Sequence, residues 1–288
     1  STAQDRQDDA AVAAEAGEHD KLFALFADAD ERELKLNPVG ALFRGDMRYA
    51  DRLGDQAGNG KPMVLSSWAG PTPELYSQGG SVLPGLLTVR LEGEGLVNES
   101  TQALQGMRWF IAHEGAHFWL GQTVEYETDA DAWIMEGGAN LLAFRLIEQI
   151  DPEYNAGTEL ANSWQTCLAM SVDKPLAEAS ARRDYDANYA CGTVLGMIAE
   201  GAAQTNGGRD FFDFLAALVA ANREDAGGDG IVSVDDWLAQ LVAESGDEEL
   251  AAQLKAFVYR GTDDPQRDLC AMLARVDRAA PGCAVVTE

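Results

Sequence analysis

The chain has 288 residues, 46% of them hydrophobic, with 21 basic against 48 acidic side chains and a net charge of −27. That balance excludes a nucleic-acid partner, whose phosphates need a basic surface, and it disfavours anionic membrane surfaces. No run of 18 apolar residues occurs, so no membrane span is expected.

In chain order, the opening "STAQDRQDDAAVAAEAGEHD" is polar and uncapped, and reads as a loose tail over 1–20. It carries no signal peptide and looks like the start of a mature chain. Helical spacing follows from His19 to about Gln56, carried by Leu22, Phe23, Leu25 and Phe26 and then Leu34 and Leu36, and it breaks at "NPVG". Residues 60 to 97 are rich in Gly and Pro and hold two β-type runs, "MVLSSW" and "GLLTVRLEG", the expected sheet. From Glu99 onward the pattern predicts helices over about 101–121, 130–150, 157–170, 186–204, 208–222, 233–244 and 246–258. Asp129 is the expected N-cap of the second, and Ser233 with Asp236 reads as a capping box for the sixth.

The chemistry concentrates in 113–140, "HEGAHFWLGQTVEYETDADAWIMEGGAN". The chain has three histidines, and His113 and His117 stand four apart. On a helix that spacing puts both imidazoles on one face, where they can share a metal ion. Glu114, beside the first, can reach a water on that metal without binding it, which is the working of HExxH. A catalytic zinc needs three protein ligands and an open position. With no further histidine at hand, the third ligand must be a carboxylate. Glu136 is the candidate, separated from His117 by eighteen residues, room for a loop and a returning helix.

These residues resemble the M1 family of zinc aminopeptidases, gluzincins whose consensus runs HELAHxWFGNxVTxxxWxDxWLxEGFA. His113, Glu114, Ala116, His117, Trp119, Gly121, Val124, Asp131, Trp133, Glu136, Gly137 and Ala139 fall in its register without a gap. The resemblance implies zinc bound by His113, His117 and Glu136, with Glu114 as general base and then proton donor to the leaving amine. It places Asp131 before the tryptophan, either orienting His113 as a neighbouring carboxylate or standing as a solvated acid at a helix start. It also implies a later tyrosine that donates to the oxyanion. "NYACGTVLGMIAE" offers Tyr189, with Tyr185 as the competitor. The family's GxMEN motif, whose glutamate grips the free α-amine, is missing; Glu92 and Glu94 are the substitutes to weigh against plain strand-end acids. Peptide-bond hydrolysis is therefore a safer expectation than aminopeptidase specificity. Separately, "NPVGALFRGDMRYADRLGD" resembles the opening of another group of bacterial zinc peptidases and carries no chemistry of its own.

The expected architecture is α+β, a thermolysin-like zinc metallopeptidase catalytic domain. It would form one unit over 21–288: helix plus small sheet in 21–100, the zinc-site helix pair in 101–150 and a helical part in 151–288. The expected partner is a peptide or protein substrate. The reading of another class is a weak or inactive peptidase-like module that binds peptides or scaffolds a complex. "DAGGDGIVSVDD", from Asp225 to Asp236, resembles an EF-hand loop, but Gly227 stands at its third position and Asp236 at its twelfth, so a polar turn before a capped helix is the better account. Four cysteines without a CxxC pair suit two disulfides and a periplasmic or secreted location; four free thiols would instead mean a cytoplasmic one. The most local pairing is Cys167–Cys191 with Cys270–Cys283.

Overall fold

A computed structural model of the protein describes residues 63–280 and Cys283. The expected tail over 1–20 and the helical spacing of 21–56 lie outside the described residues. Within them the chain is mostly helical, with a small sheet at its start.

Three strands, β1 (Met63–Trp68), β2 (Ser77–Leu83) and β3 (Leu86–Glu92), form the sheet in the order β1-β3-β2. β1 runs parallel to β3, and β2 runs antiparallel to it. The two β-type runs of the sequence are β1 and β3. β2, "SQGGSVL", escaped notice because two glycines break the apolar alternation that marks a strand. Leu83 pairs with Leu86 across Pro84-Gly85, and Gly85 takes the positive φ of 68° that this turn requires. Along β3, Leu87 and Val89 point inward and Arg90 outward, the alternation of a half-buried strand.

After a one-turn helix, α1 (Glu94–Val97), come α2 (Thr101–Ala116), α3 (Ala132–Ile150), α4 (Ala156–Ser171), the short α5 (Ala179–Arg182) and α6 (Tyr185–Thr205). Four more follow: α7 (Phe211–Asn222), α8 (Val234–Ser245), α9 (Glu248–Arg260) and α10 (Pro265–Ala274). α3 and α6 are the core. Ile134, Met135, Ala139, Leu141, Leu146 and Ile147 of α3 and Val194, Leu195, Ile198 and Ala202 of α6 are all buried. Helices apolar on nearly every side belong in the middle of a protein.

Glycines let these two helices touch. A Cβ on Gly137 would stand 2.2 Å from the Gly192 Cα, and one on Gly192 would stand 2.2 Å from the Trp133 carbonyl oxygen. A disulfide, Cys167–Cys191, ties α4 to α6, and a second joins Cys270 to Cys283. Both are the local pairings expected from the sequence.

The helices depart from expectation at several points. α2 ends at Ala116 rather than near 121, and Phe118, Trp119 and Leu120 beyond it are all buried. The chain instead tightens through Phe118 N–H to Gly115 and Trp119 N–H to Ala116, then turns at Gly121, φ 125°. The cap before α3 is Thr128, not Asp129: Thr128 and Asp131 close a reciprocal capping box around a single 3₁₀ turn. α10 was missed altogether; Asp264 followed by Pro265 is its start signal, an N-cap and a proline in the first turn. The capping box of Ser233 and Asp236 stands as expected.

Candidate metal centre and active site

α2 delivers His113 from its last turn, and His117 is its C-cap residue. α3 returns against α2 with Glu136 on the facing side. One nitrogen from each imidazole and one carboxylate oxygen of Glu136 all lie within 4.8 Å of one another, the one such His/Cys/Asp/Glu group among the described residues. The two Nε2 atoms are 3.3 Å apart. Glu136 Oε2 is 3.4 Å from His113 Nε2 and 3.6 Å from His117 Nε2.

These atoms fit a zinc ion. Ligand bonds of about 2.0–2.1 Å at tetrahedral angles place donor atoms roughly 3.3 Å apart. Glu136 Oε2 is also buried, and its nearest donors among the described residues are these two imidazole nitrogens at 3.4 and 3.6 Å. A buried carboxylate oxygen facing two imidazole nitrogens at these distances is a donor set waiting for a cation. Burial opposes the charge on Glu136, but the His113 and His117 imidazoles beside it outweigh that and hold its carboxyl well below the usual range.

The early end of α2 matters to the site. Beyond Ala116 the chain folds back, so the Leu120 carbonyl oxygen lies 2.9 Å from His117 Nδ1. A carbonyl only accepts, so the ring proton sits on Nδ1 and the Nε2 lone pair faces His113 and Glu136. A helix continuing to 121 would have sent that carbonyl along its own axis.

Asp131 does not orient His113. One carboxylate oxygen accepts from Thr128 N–H at 2.9 Å and Thr128 Oγ1 at 2.7 Å; the other accepts from Val234 N–H at 3.0 Å. It is 2% exposed and spends both oxygens on capping the start of α3 and docking the start of α8. His113 Nδ1 is buried without a partner among the described residues.

Glu114 and Tyr189 line the same cleft as the donor set, a space of about 330 Å³. The Tyr189 ring stacks on His113 with centroids 5.7 Å apart. Tyr189 reaches it because the Gly137–Gly192 contact brings the first turns of α6 against α3. Burial and then the Glu136 carboxylate push the Tyr189 phenol far above its ordinary value, so it remains a hydrogen-bond donor. Tyr185, the competitor, opens α6 and is 56% exposed, outside the cleft.

The opposite wall comes from β2: Gly80, Ser81 and Val82 line the cleft. Sequence reasoning missed this strand. Its signal was the glycine pair, since glycine within a strand marks close approach by another group. A Cβ on Gly80 would stand 2.0 Å from the Thr88 carbonyl oxygen and 3.2 Å from the Phe110 ring. Glu92 and Glu94 are not on the cleft. Glu92 is held by Arg90 through two hydrogen bonds of 3.0 Å, and Glu94 begins α1 in solvent.

The loop resembling an EF-hand uses its acids locally. Asp225 pairs with Arg223, Asp229 accepts from Ile231 N–H, and Asp236 caps α8. No helix among the described residues is long and apolar enough to cross a membrane.

Comparison with known proteins bears on the same stretch. Residues 76–189 match the peptidase family M1 domain. Aminopeptidase M1-D of Oryza sativa subsp. japonica is 32% identical over 81 residues, which are 28% of this chain and 9% of the rice protein.

Proposed function

We propose that this M1-family peptidase-like protein hydrolyses peptide bonds with a zinc ion held by His113, His117 and Glu136. Bound there, zinc would supply a Lewis acid for the scissile carbonyl and lower the pKa of its water toward about 7. Glu114 takes the proton from the attacking water and passes it to the departing amine. The Tyr189 phenol donates to the oxygen that gains charge as the carbonyl becomes tetrahedral. β2 forms the wall along which the peptide lies, and the Leu120 carbonyl holds His117 in the tautomer a metal requires. A periplasmic or secreted location goes with this reading, supported by the two disulfides.

The observation that carries the proposal is the convergence of three donor atoms on one point of a cleft that also presents Glu114 and Tyr189. The same convergence argues against a pure binding module, which has no use for a base beside the metal ligands. The test joins metal content to turnover. Purified protein exposed to zinc is expected to hold about one ion per chain by elemental analysis. Glu114→Gln keeps the size and hydrogen bonding of the side chain and removes the base. It is expected to retain zinc while turnover on a mixed peptide library falls by about 10²–10⁴. A wild-type protein that binds no zinc, or a Glu114→Gln variant that cleaves at the wild-type rate, would sink the reading.

A further inference from the structure

A second cavity, of about 300 Å³, lies against α2 upstream of the metal cleft. Four aromatic rings wall it, Tyr76, Trp109, Phe144 and Tyr154, with the carboxylate of Glu159 among them. Gly106 makes room for the Tyr76 wall: a Cβ there would stand 2.4 Å from the Tyr76 ring. Trp109 and Phe144 stack with centroids 6.5 Å apart.

Glu159 is the one charged side chain that lines the cavity among the described residues. Burial and then the charges of Glu159 and Glu148 drive the Tyr154 phenol upward in pKa. The buried acids Asp151, Glu200 and Glu244 have arginine partners, Arg108, Arg145 and Arg209, whereas half-buried Glu159 has none among the described residues. Glu159 has a weak contact with the Asn162 amide at 3.5 Å. Trp109 borders the open space of the cavity.

Trp109 also joins the two sites. It lines the cavity, and its ring lies 5.4 Å from that of His113. β2 makes the same connection, for Val82 borders the metal cleft and Tyr76, immediately before the strand, borders the cavity. Six residues of strand span about 20 Å, while the four residues of α2 from Trp109 to His113 rise about 6 Å. An extended peptide beside β2 would therefore set a residue some two to six positions from its scissile bond over the cavity.

We propose that this cavity receives a lysine or arginine side chain of the peptide, a specificity subsite that rests on the hydrolytic reading above. The aromatic faces attract the cation and Glu159 neutralises it. The net charge of −27 draws cationic peptides toward the protein before they dock.

The test uses the zinc-loaded full chain and internally quenched peptides that differ at one residue. Lysine is moved through positions two to six on either side of the scissile bond, with norleucine at each position as the neutral control. At one position lysine is expected to raise kcat/KM about tenfold over norleucine, through KM. Glu159→Gln is expected to bring that ratio to about one. Equal rates at every position would overturn the proposal. Calorimetric titration of the Glu114→Gln variant with the same peptides reads the subsite without hydrolysis. The lysine preference is expected there too, and is expected to vanish when Glu159→Gln is added. Absence of that preference in binding overturns the subsite whatever the cleavage assay reports, whereas a wild type that cuts nothing counts against the hydrolytic reading instead. Binding of butylammonium alone, with no lysine preference among the peptides, would mark a small-amine site and also overturn the proposal.

Discussion

The two ends of the α3–α6 pair surround their carboxylates in opposite ways. At the far end Glu200 is 3% exposed and fully answered. Arg145 reaches it with two donors, at 2.7 and 2.8 Å, and Arg278 adds another. At the near end Glu136 meets two imidazoles that carry no obligatory charge, a phenol and the cleft. A carboxylate buried to hold the fold finds its counter-ions in the chain. Glu136, half-buried, has no such arginine among the described residues, and on the proposed function its counter-charge would come from a bound cation.

That contrast can be broken from either end. Glu200→Gln leaves two partly buried arginines without their counter-charge and is expected to cost about 3–5 kcal/mol in urea unfolding, with zinc content unchanged. Glu136→Gln is expected to do the reverse, losing most of the zinc in elemental analysis while the unfolding midpoint of the metal-free protein holds or rises. A Glu136 variant that unfolded the metal-free protein as severely as the Glu200 variant would erase the distinction.

Tyr189→Phe sharpens the near end. It removes one donor and leaves the ring on His113, so turnover is expected to fall by about 10²–10³ with zinc retained. An effect on KM alone would assign Tyr189 to substrate binding. Gly137→Ala tests the contact that joins both ends. The added methyl must push α3 and α6 apart, for an expected loss of about 1–3 kcal/mol in thermal or denaturant unfolding. Turnover is expected to drop further than stability accounts for, because Tyr189 moves with α6. The smallest expected effect is on reduction of Cys167–Cys191, which ties α6 to α4 two residues from Tyr189. Releasing that 24-residue loop is expected to lower stability by up to about 3 kcal/mol and turnover by less than Tyr189→Phe does.

Much of the candidate site was legible because it is local. His113 and His117 are four apart on one helix, and Glu136 follows at an interval that a loop and a returning helix satisfy. Helical periodicity alone brings the first two together. The local disulfide pairing was legible for the same reason. Asp131 shows the limit: its position in the motif suggested a partner for His113, but its carboxylate is claimed by Thr128 and by Val234, more than a hundred residues away. No pattern within a helix announces a cap made across that distance.

The sequence by itself thus determined the candidate metal-ligand residue types, their spacing, the helical bulk of the chain and its acidic charge, all of which follow from neighbours along the chain. Tertiary structure decided what depends on remote neighbours. It ended α2 at Ala116 so that the Leu120 carbonyl could set the His117 tautomer. It set Tyr189 rather than Tyr185 on the cleft, beside the Gly137–Gly192 contact, and laid the glycine-rich β2 along the cleft as a wall. Close approach between elements is decided by the side chains that are missing at both surfaces at once, and that is a property of the packed pair rather than of either segment.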